Sequence, residues 1–544
     1  MSEKRKKLTK IEIVICVISV LAVILSGTFM TVQLVQNGVA GKKTTARTEK
    51  TGSAESEKTQ KFMAEFPYDL QNNAVSNFDI AFLKAENEAK NKIYSPLSIK
   101  YTLKMLEEGA GGNTKRQISD VLGDYKVTKY TSGANMSLAN ALFVRDTFKD
   151  TLEESYLSRL QIGYNADVIC DPFTSPDRVN SWVKEKTLGL IPQLKDDMDP
   201  SLNFLLVNAL GIDMEWKYKF FDFYDNMFTD EAIYSHVKYF AGCNKTEIVS
   251  EVFDGKTDVA GMSIFASLDN YNIVQTLGED NIRKTVGDAY RKWIGENKKN
   301  AWGEPLTDAA AIEKEIKEYL DRYIDELKAD YVRNKEAKST DFSVYTDENV
   351  RVFAKDLKTY GGTTLQYVAV MPEKETLDAY VARVDSAALN RIVDNLKELK
   401  AQNFKDGVIT SISGYIPKFS FEYTLKLKED LAKIGVTDVF DSGKADISGI
   451  TGQKGQYIGE AVHKANIELT QDGIKAAAAT FAGGKGAGDP EFDYLYDVPV
   501  EEIDLTFKKP YLFLIRDKDT GDVWFTGTVY EPLEYEKDET RFGQ

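Results

Sequence analysis

The sequence predicts an α+β fold with large, mainly antiparallel sheets, surrounding helices and an exposed loop near the C-terminus. Three observations carry this. Short apolar runs suited to buried strands occur at Asn140–Val144, Phe204–Leu210, Tyr367–Met371, Ser411–Phe421 and Trp524–Val529. Helical spacing appears between them without a regular strand–helix–strand alternation, so a parallel doubly wound sheet is disfavoured. The third is the run Gln471-Asp472-Gly473-Ile474-Lys475-Ala476-Ala477-Ala478-Ala479-Thr480-Phe481-Ala482-Gly483-Gly484, flanked by strand-like segments at Ile467–Leu469 and Tyr511–Ile515. Alanine has no rotamer freedom to lose, and glycine lacks the Cβ restriction. Such a run reads either as a linker or as a loop able to become a strand.

Taken from the N-terminus, residues 1–10 are a basic segment containing Lys4-Arg5-Lys6-Lys7 and Lys10. Residues 11–35 follow, with an uncharged, mostly apolar stretch from Ile13 to about Val35, long enough to cross a bilayer. The positive cluster should stay cytoplasmic and send the rest outside. An uncleaved signal anchor is expected, with a cleaved signal near Val39-Ala40-Gly41 as the alternative and a bacterial cell surface as the setting. Residues 36–62 read as a polar tether, 63–533 as the folded body and 534–544 as a polar tail.

Inside the body, Ser95-Pro96 marks a helix start, since serine caps and proline suits the first turn. Gly109-Ala110-Gly111-Gly112 ends that helix. Residues 229–340 read as a mostly helical insertion. Within it, Ile312, Ile316, Tyr319, Leu320, Tyr323, Ile324 and Leu327 line one helix face between Asp308 and Val332.

Composition excludes several classes. A net charge of −16 offers no phosphate-binding surplus, so nucleic acid is not an expected partner. Three cysteines, Cys16, Cys170 and Cys243, leave at most one bridge. Only His236 and His463 are available as imidazoles, so no multi-histidine metal site is expected. Neither an enzyme nor a cofactor is expected.

An ordered set of motifs resembles the serpins, a family of suicide protease inhibitors. Tyr94-Ser95-Pro96-Leu97-Ser98-Ile99 resembles the family's early helix. Asn180-Ser181-Trp182-Val183 through Ile191-Pro192, then Val207-Asn208-Ala209-Leu210 and Trp216, are similar to the approach to its third central strand. Pro417-Lys418-Phe419, Ala445–Ile450, His463-Lys464-Ala465, the hinge Gly473–Thr480 and Phe525-Thr526-Gly527 complete the pattern.

The resemblance implies a reactive loop at residues 471–505 whose hinge half, once cut, enters the central sheet. It assigns the hinge to Gln471, Gly473, Ile474, Ala476, Ala477, Ala478, Ala479 and Thr480. If Ile474 faces inward, strand alternation turns Ala476, Ala478, Thr480, Ala482 and Gly484 inward too, and none is charged. Ile474 stands where the family has threonine, which should slow insertion. Gln471 replaces an acidic residue that would pair with Lys418. Ser95, Ser98, Asn208, His463, Trp216 and Lys418 are implied to control opening of the sheet, with Gly189 and Gly211 close-packed near the loop's entry. Family spacing places the reactive bond between Ala487 and Gly488, suiting an elastase-like protease. Because the loop is long, Phe492, Tyr494, Leu495 and Tyr496 are alternative baits for chymotrypsin- or subtilisin-like enzymes. A monomeric inhibitor of serine proteases, with cysteine proteases as further targets, is the leading expectation. A non-inhibitory binding or adhesion protein at the cell surface is the alternative.

Overall fold

A computed structural model describes residues 74–199, 201–220, 238–242, 253–256, 259–336, 342–461, 463–470, 472–474 and 499–534. The membrane-anchor segment, Cys16, Cys243, His236, Gln471, hinge residues 475–480 and every candidate for the cleaved bond lie outside the described residues.

The largest sheet has seven strands, in the spatial order Lys92–Tyr94, Val523–Val529, Tyr511–Asp517, Leu365–Pro372, Val350–Asp356, Phe342–Thr346 and Lys397–Glu398. All neighbours are antiparallel. Its strands read as unbroken apolar runs because both faces are covered: Leu512, Phe513, Leu514 and Ile515 are fully buried. The helix Pro96–Gly109 packs beside it, started as expected by Ser95, whose Oγ accepts from the Ser98 amide at 3.1 Å.

A second, central sheet is divided. Ala166–Asp171, Met136–Arg145 and Phe204–Ile212 form one part; Phe419–Leu425, His463–Leu469, Gly473–Ile474 and Met214–Glu215 form the other. Only Asp213 separates Phe204–Ile212 from Met214–Glu215, so one stretch of chain belongs to both parts. The helix Asp177–Lys186 covers the first part through Val179, Trp182 and Val183. A third sheet runs Val500–Thr506, Ile409–Pro417, Gly261–Asp269 and Lys238–Gly242.

One expectation is revised and a second gains detail. Ser411–Phe421 is not one strand: Ile409–Pro417 and Phe419–Leu425 belong to different sheets and break at Lys418. Pro417 ends the first, since proline has no N–H for a ladder. Residues 229–340, read as mostly helical, also carry strands. Lys238–Gly242 and Gly261–Asp269 are strands of the third sheet, paired with each other and the latter with Ile409–Pro417. Helical structure begins after them, with Ile273–Leu277, Glu279–Asn297 and Ala309–Glu336. The last two form an antiparallel hairpin with its own core, in which Ile282, Val286, Tyr290 and Ile294 meet Ile316, Leu320 and Ile324. Arg283–Asp321 at 2.7 Å and Arg291–Glu313 at 2.8 Å tie the hairpin's flanks.

Candidate functional site

Gly473 and Ile474 sit between two strands of the central sheet. Ile474 pairs antiparallel with Leu469 on one side and with Met214 on the other. Those two flanking strands are therefore parallel to each other and stand two strand spacings apart at this level, about 9.6 Å. Below it, no ladder joins Phe204–Ile212 to His463–Leu469 among the described residues. The sheet is bridged at its top and open beneath.

Glycine is required at 473, because a Cβ there would lie 2.2 Å from the Met214 carbonyl oxygen. Ile474 is 1 % exposed and lies against Ile212 and Ile467. It faces inward, which is the condition from which the alternation of the hinge was counted. Its bulk is already housed in the resting fold.

Trp216 fastens the top. Its amide donates to the Asp472 carbonyl at 3.0 Å, and its indole Nε1 donates to the Thr470 carbonyl at 2.9 Å. The ring is fully buried, edge-on to Phe220 and Tyr367. Beside it Glu215 lies between Lys219 at 2.7 Å and Lys358 at 2.6 Å, and Lys219 reaches Asp472 at 3.5 Å. Lys219, then Lys358, holds the Glu215 carboxyl below its ordinary range. Sequence reasoning missed this group. Asp472 is the acidic residue beside Gln471, and it pairs with Lys219. Lys418 stands close to this rung, one residue before Phe419, which pairs with Leu469; its amide donates to the Ala260 carbonyl at 2.9 Å and its carbonyl accepts from the Leu533 amide.

Two cavities mark the open part. One, about 50 Å³, is lined by Ser95, Ser98, Asn208, His463, Lys195 and Phe525. The other, about 60 Å³, touches Leu190, Ile212, Ile467, Ile474 and Phe525. Such volumes hold a few water molecules. Four predicted control residues thus share one cavity, but they do not form one hydrogen-bond network. His463 Nε2 accepts from the Ser95 amide at 2.9 Å, which requires a neutral ring. Burial pushes its pKa down to about 4. Asn208 turns away to the neighbouring strand, donating to Asn140 Oδ1 at 2.6 Å, while Asn140 donates to the Tyr164 carbonyl at 2.8 Å. The buried Asn208 Oδ1 has no hydrogen-bond partner among the described residues.

The segment after helix Asp177–Lys186 straps the gap from outside. The Leu190 carbonyl accepts from Asn466 Nδ2 at 3.5 Å, and Lys195 pairs with Glu460. Gly211 lets the strap approach, since a Cβ there would meet the Thr187 carbonyl at 2.9 Å. Gly189 is not close-packed; it occupies a turn with φ +80°.

Among the described residues, the two flanking strands leave a gap one strand wide below the rung. The family model "Serpin (serine protease inhibitor)" matches residues 73–229 and 332–532. The chain belongs to the serpin family, which is a family of protease inhibitors. It is 27 % identical over 476 residues to the leukocyte elastase inhibitor of Homo sapiens, covering 83 % of this chain and 95 % of that protein. An uncharacterized serpin-like protein of Methanosarcina acetivorans is 24 % identical over 494 residues, covering 86 % and 88 %. Among solved structures, the thermophilic serpin tengpin in its native state aligns with a TM-score of 0.54 at 21 % identity, over 89 % of this chain and 96 % of that one. Thyroxine-binding globulin complexed with thyroxine aligns at 0.52 and 19 % identity, over 84 % and 98 %. Among the described residues no group of acidic, histidine or cysteine side chains suits a metal, and no helix is long and apolar enough to cross a membrane.

Proposed function

We propose that this protein is a suicide-type inhibitor of serine proteases, displayed outside the cell on the apolar segment at residues 11–35. The observation that carries the reading is the short rung Gly473–Ile474, held between two parallel strands that, among the described residues, have no other partner along the gap. A protease serine attacks the carbonyl of the bait residue, its peptide bond breaks, and an ester joins enzyme to loop. The freed hinge then extends from Ile474 as a strand antiparallel to both neighbours, carrying the ester-linked protease with it. Since Ile474 is buried, Ala476, Ala478, Thr480, Ala482 and Gly484 follow onto the same face at no charge-burial cost.

Ala487–Gly488 is the favoured bond. Small residues there suit a shallow, elastase-like pocket, and the likeness to leukocyte elastase inhibitor points the same way. The test mixes purified protein with pancreatic elastase, subtilisin, chymotrypsin and papain and resolves the products on denaturing gels. An SDS-stable complex with a serine protease, releasing a peptide that begins at Gly488, is the expected result. Cleavage of the loop by every enzyme with full retention of protease activity sinks the inhibitor reading.

A further inference from the structure

The helical hairpin Glu279–Glu336 is unused by the mechanism above, and its root has a specific address. The strand Gly261–Asp269 ends opposite Ile409, which in turn pairs with Val500, where the chain returns from the reactive loop. Ile409 N donates to the Pro499 carbonyl at 2.9 Å, and Asn270 N to the Val408 carbonyl at 3.1 Å. The insertion therefore leaves the sheet two strand spacings, about 10 Å, from the loop's C-terminal foot. The helix Glu279–Asn297 has 19 residues and spans about 28 Å. Eleven loop residues lie between Ala487 and Pro499, so the twelve steps from one to the other span at most about 40 Å of extended chain. The hairpin and a protease held at the reactive bond thus work within reach of one another.

The far end of the hairpin is built to present one side chain. Asn300, 5 % exposed, organises the connecting loop: its Oδ1 accepts from the amides of Trp302 at 3.1 Å and Glu304 at 2.9 Å. Tyr290 Oη accepts from the Ala301 amide at 2.9 Å. On this fixed loop Trp302 is 61 % exposed, more than any other large apolar side chain among the described residues. Arg322 stacks over it at 5.5 Å. The hairpin core is filled by Tyr290, Trp293 and their neighbours, so Trp302 is not needed to fold it. Tryptophan and arginine held in one orientation lose little entropy on docking, and they are the residues that dominate protein–protein binding energy.

We infer that the Trp302–Arg322 end of the hairpin is an exosite that touches the target protease while its active site engages the loop, on the side of the bond that leads to Val500. This rests on the inhibitor reading above. The exosite speeds encounter and leaves the later trapping step alone.

The test measures, for the full chain against pancreatic elastase, subtilisin and chymotrypsin, two quantities. One is the association rate constant for SDS-stable complex; the other is kcat/KM for cleavage of the loop. Trp302→Ala and the pair Trp302→Ala with Arg322→Ala are expected to lower both about tenfold or more for at least one protease. Melting temperature and the number of inhibitor molecules consumed per protease should stay unchanged. Both rates within twofold of the unmutated protein for every protease that cuts the loop would overturn the exosite. A tenfold loss in cleavage with no stable complex in any sample supports the exosite and sinks trapping. The two ideas therefore fail separately.

Discussion

The seven-stranded sheet and the central sheet are made of the same kinds of residue and differ in completion. In the first, every neighbour is paired, and polar groups such as Thr526 and Thr528 find carbonyl partners at 3.0 Å. In the second, the two parts meet at one short rung above two cavities and an Asn208 Oδ1 unpartnered among the described residues. The first sheet is paired throughout, whereas the second, if the cut loop enters it as proposed, still has ladder bonds to form. On that proposal the resting molecule is held by barriers, and its function lies in the unfinished region.

The largest consequence of that difference should appear on cutting the loop. About ten new rungs, at roughly 1 kcal/mol net each, raise the melting temperature by tens of degrees. Calorimetry of intact and nicked protein reads this; equal melting temperatures would remove the distinction between the sheets. Next, Ala478→Arg places a charge on the buried face, an expense of several kcal/mol. The loop should still be cut at the normal rate while SDS-stable complex disappears. Gly473→Ala drives a methyl into the Met214 carbonyl, and overpacking of this kind costs about 1–3 kcal/mol. The resting form should melt several degrees lower, and the nicked form should lose a similar amount.

Acid tests the open sheet selectively. His463 has its pKa lowered to about 4, so its stabilising neutral state is lost as pH falls from about 6.5 through 4. At pH 5 this amounts to about 2 kcal/mol. Burial raises Asp522, beside the seven-stranded sheet, to about 6, which has the opposite sign: its contribution is full below about 4 and is lost as pH rises through 6. The two offset each other, so unmutated protein should melt almost evenly from pH 7 to 5. Asp522→Asn should uncover the full loss, and adding His463→Gln should abolish it. A flat profile in Asp522→Asn contradicts the role given to His463. Smallest is Lys195→Ala, which releases the strap from Glu460 and should lower the resting melting temperature by about 1 kcal/mol equivalent, with faster insertion after cutting.

Much of this was legible in local patterns. The Ser95 cap, the helix face from Ile312 to Leu327 and the apolar strand runs declare themselves through periodicity, because each depends on near neighbours in sequence. The hinge was legible for a related reason: alternation states which residues share Ile474's face. What escaped was set by distant chain. Nothing in Pro417-Lys418-Phe419 says that adjacent strands enter different sheets. The strands at Lys238–Gly242 and Gly261–Asp269 were hidden in a stretch whose overall pattern is helical. Asn208's choice of Asn140 over His463, and the Lys219–Glu215–Lys358 group, come from side chains that meet only after the sheets assemble. Asp472 beside Gln471 was the one available hint.

The rung at Ile474 also works as a ruler. In the insertion proposed above, with Ile474 opposite Met214 and chains antiparallel, each step along the hinge would move one step back along its neighbour, so position 484 would arrive opposite Phe204, where that strand ends. A bait at Ala487 then lies three residues past the end of the track, and the towed enzyme is pulled tight against the far pole. A bait at Tyr496 leaves twelve residues of slack, roughly 40 Å, on which an acyl-enzyme could keep its shape and finish hydrolysis. Where the loop is cut therefore decides whether the stroke crushes its passenger or merely carries it.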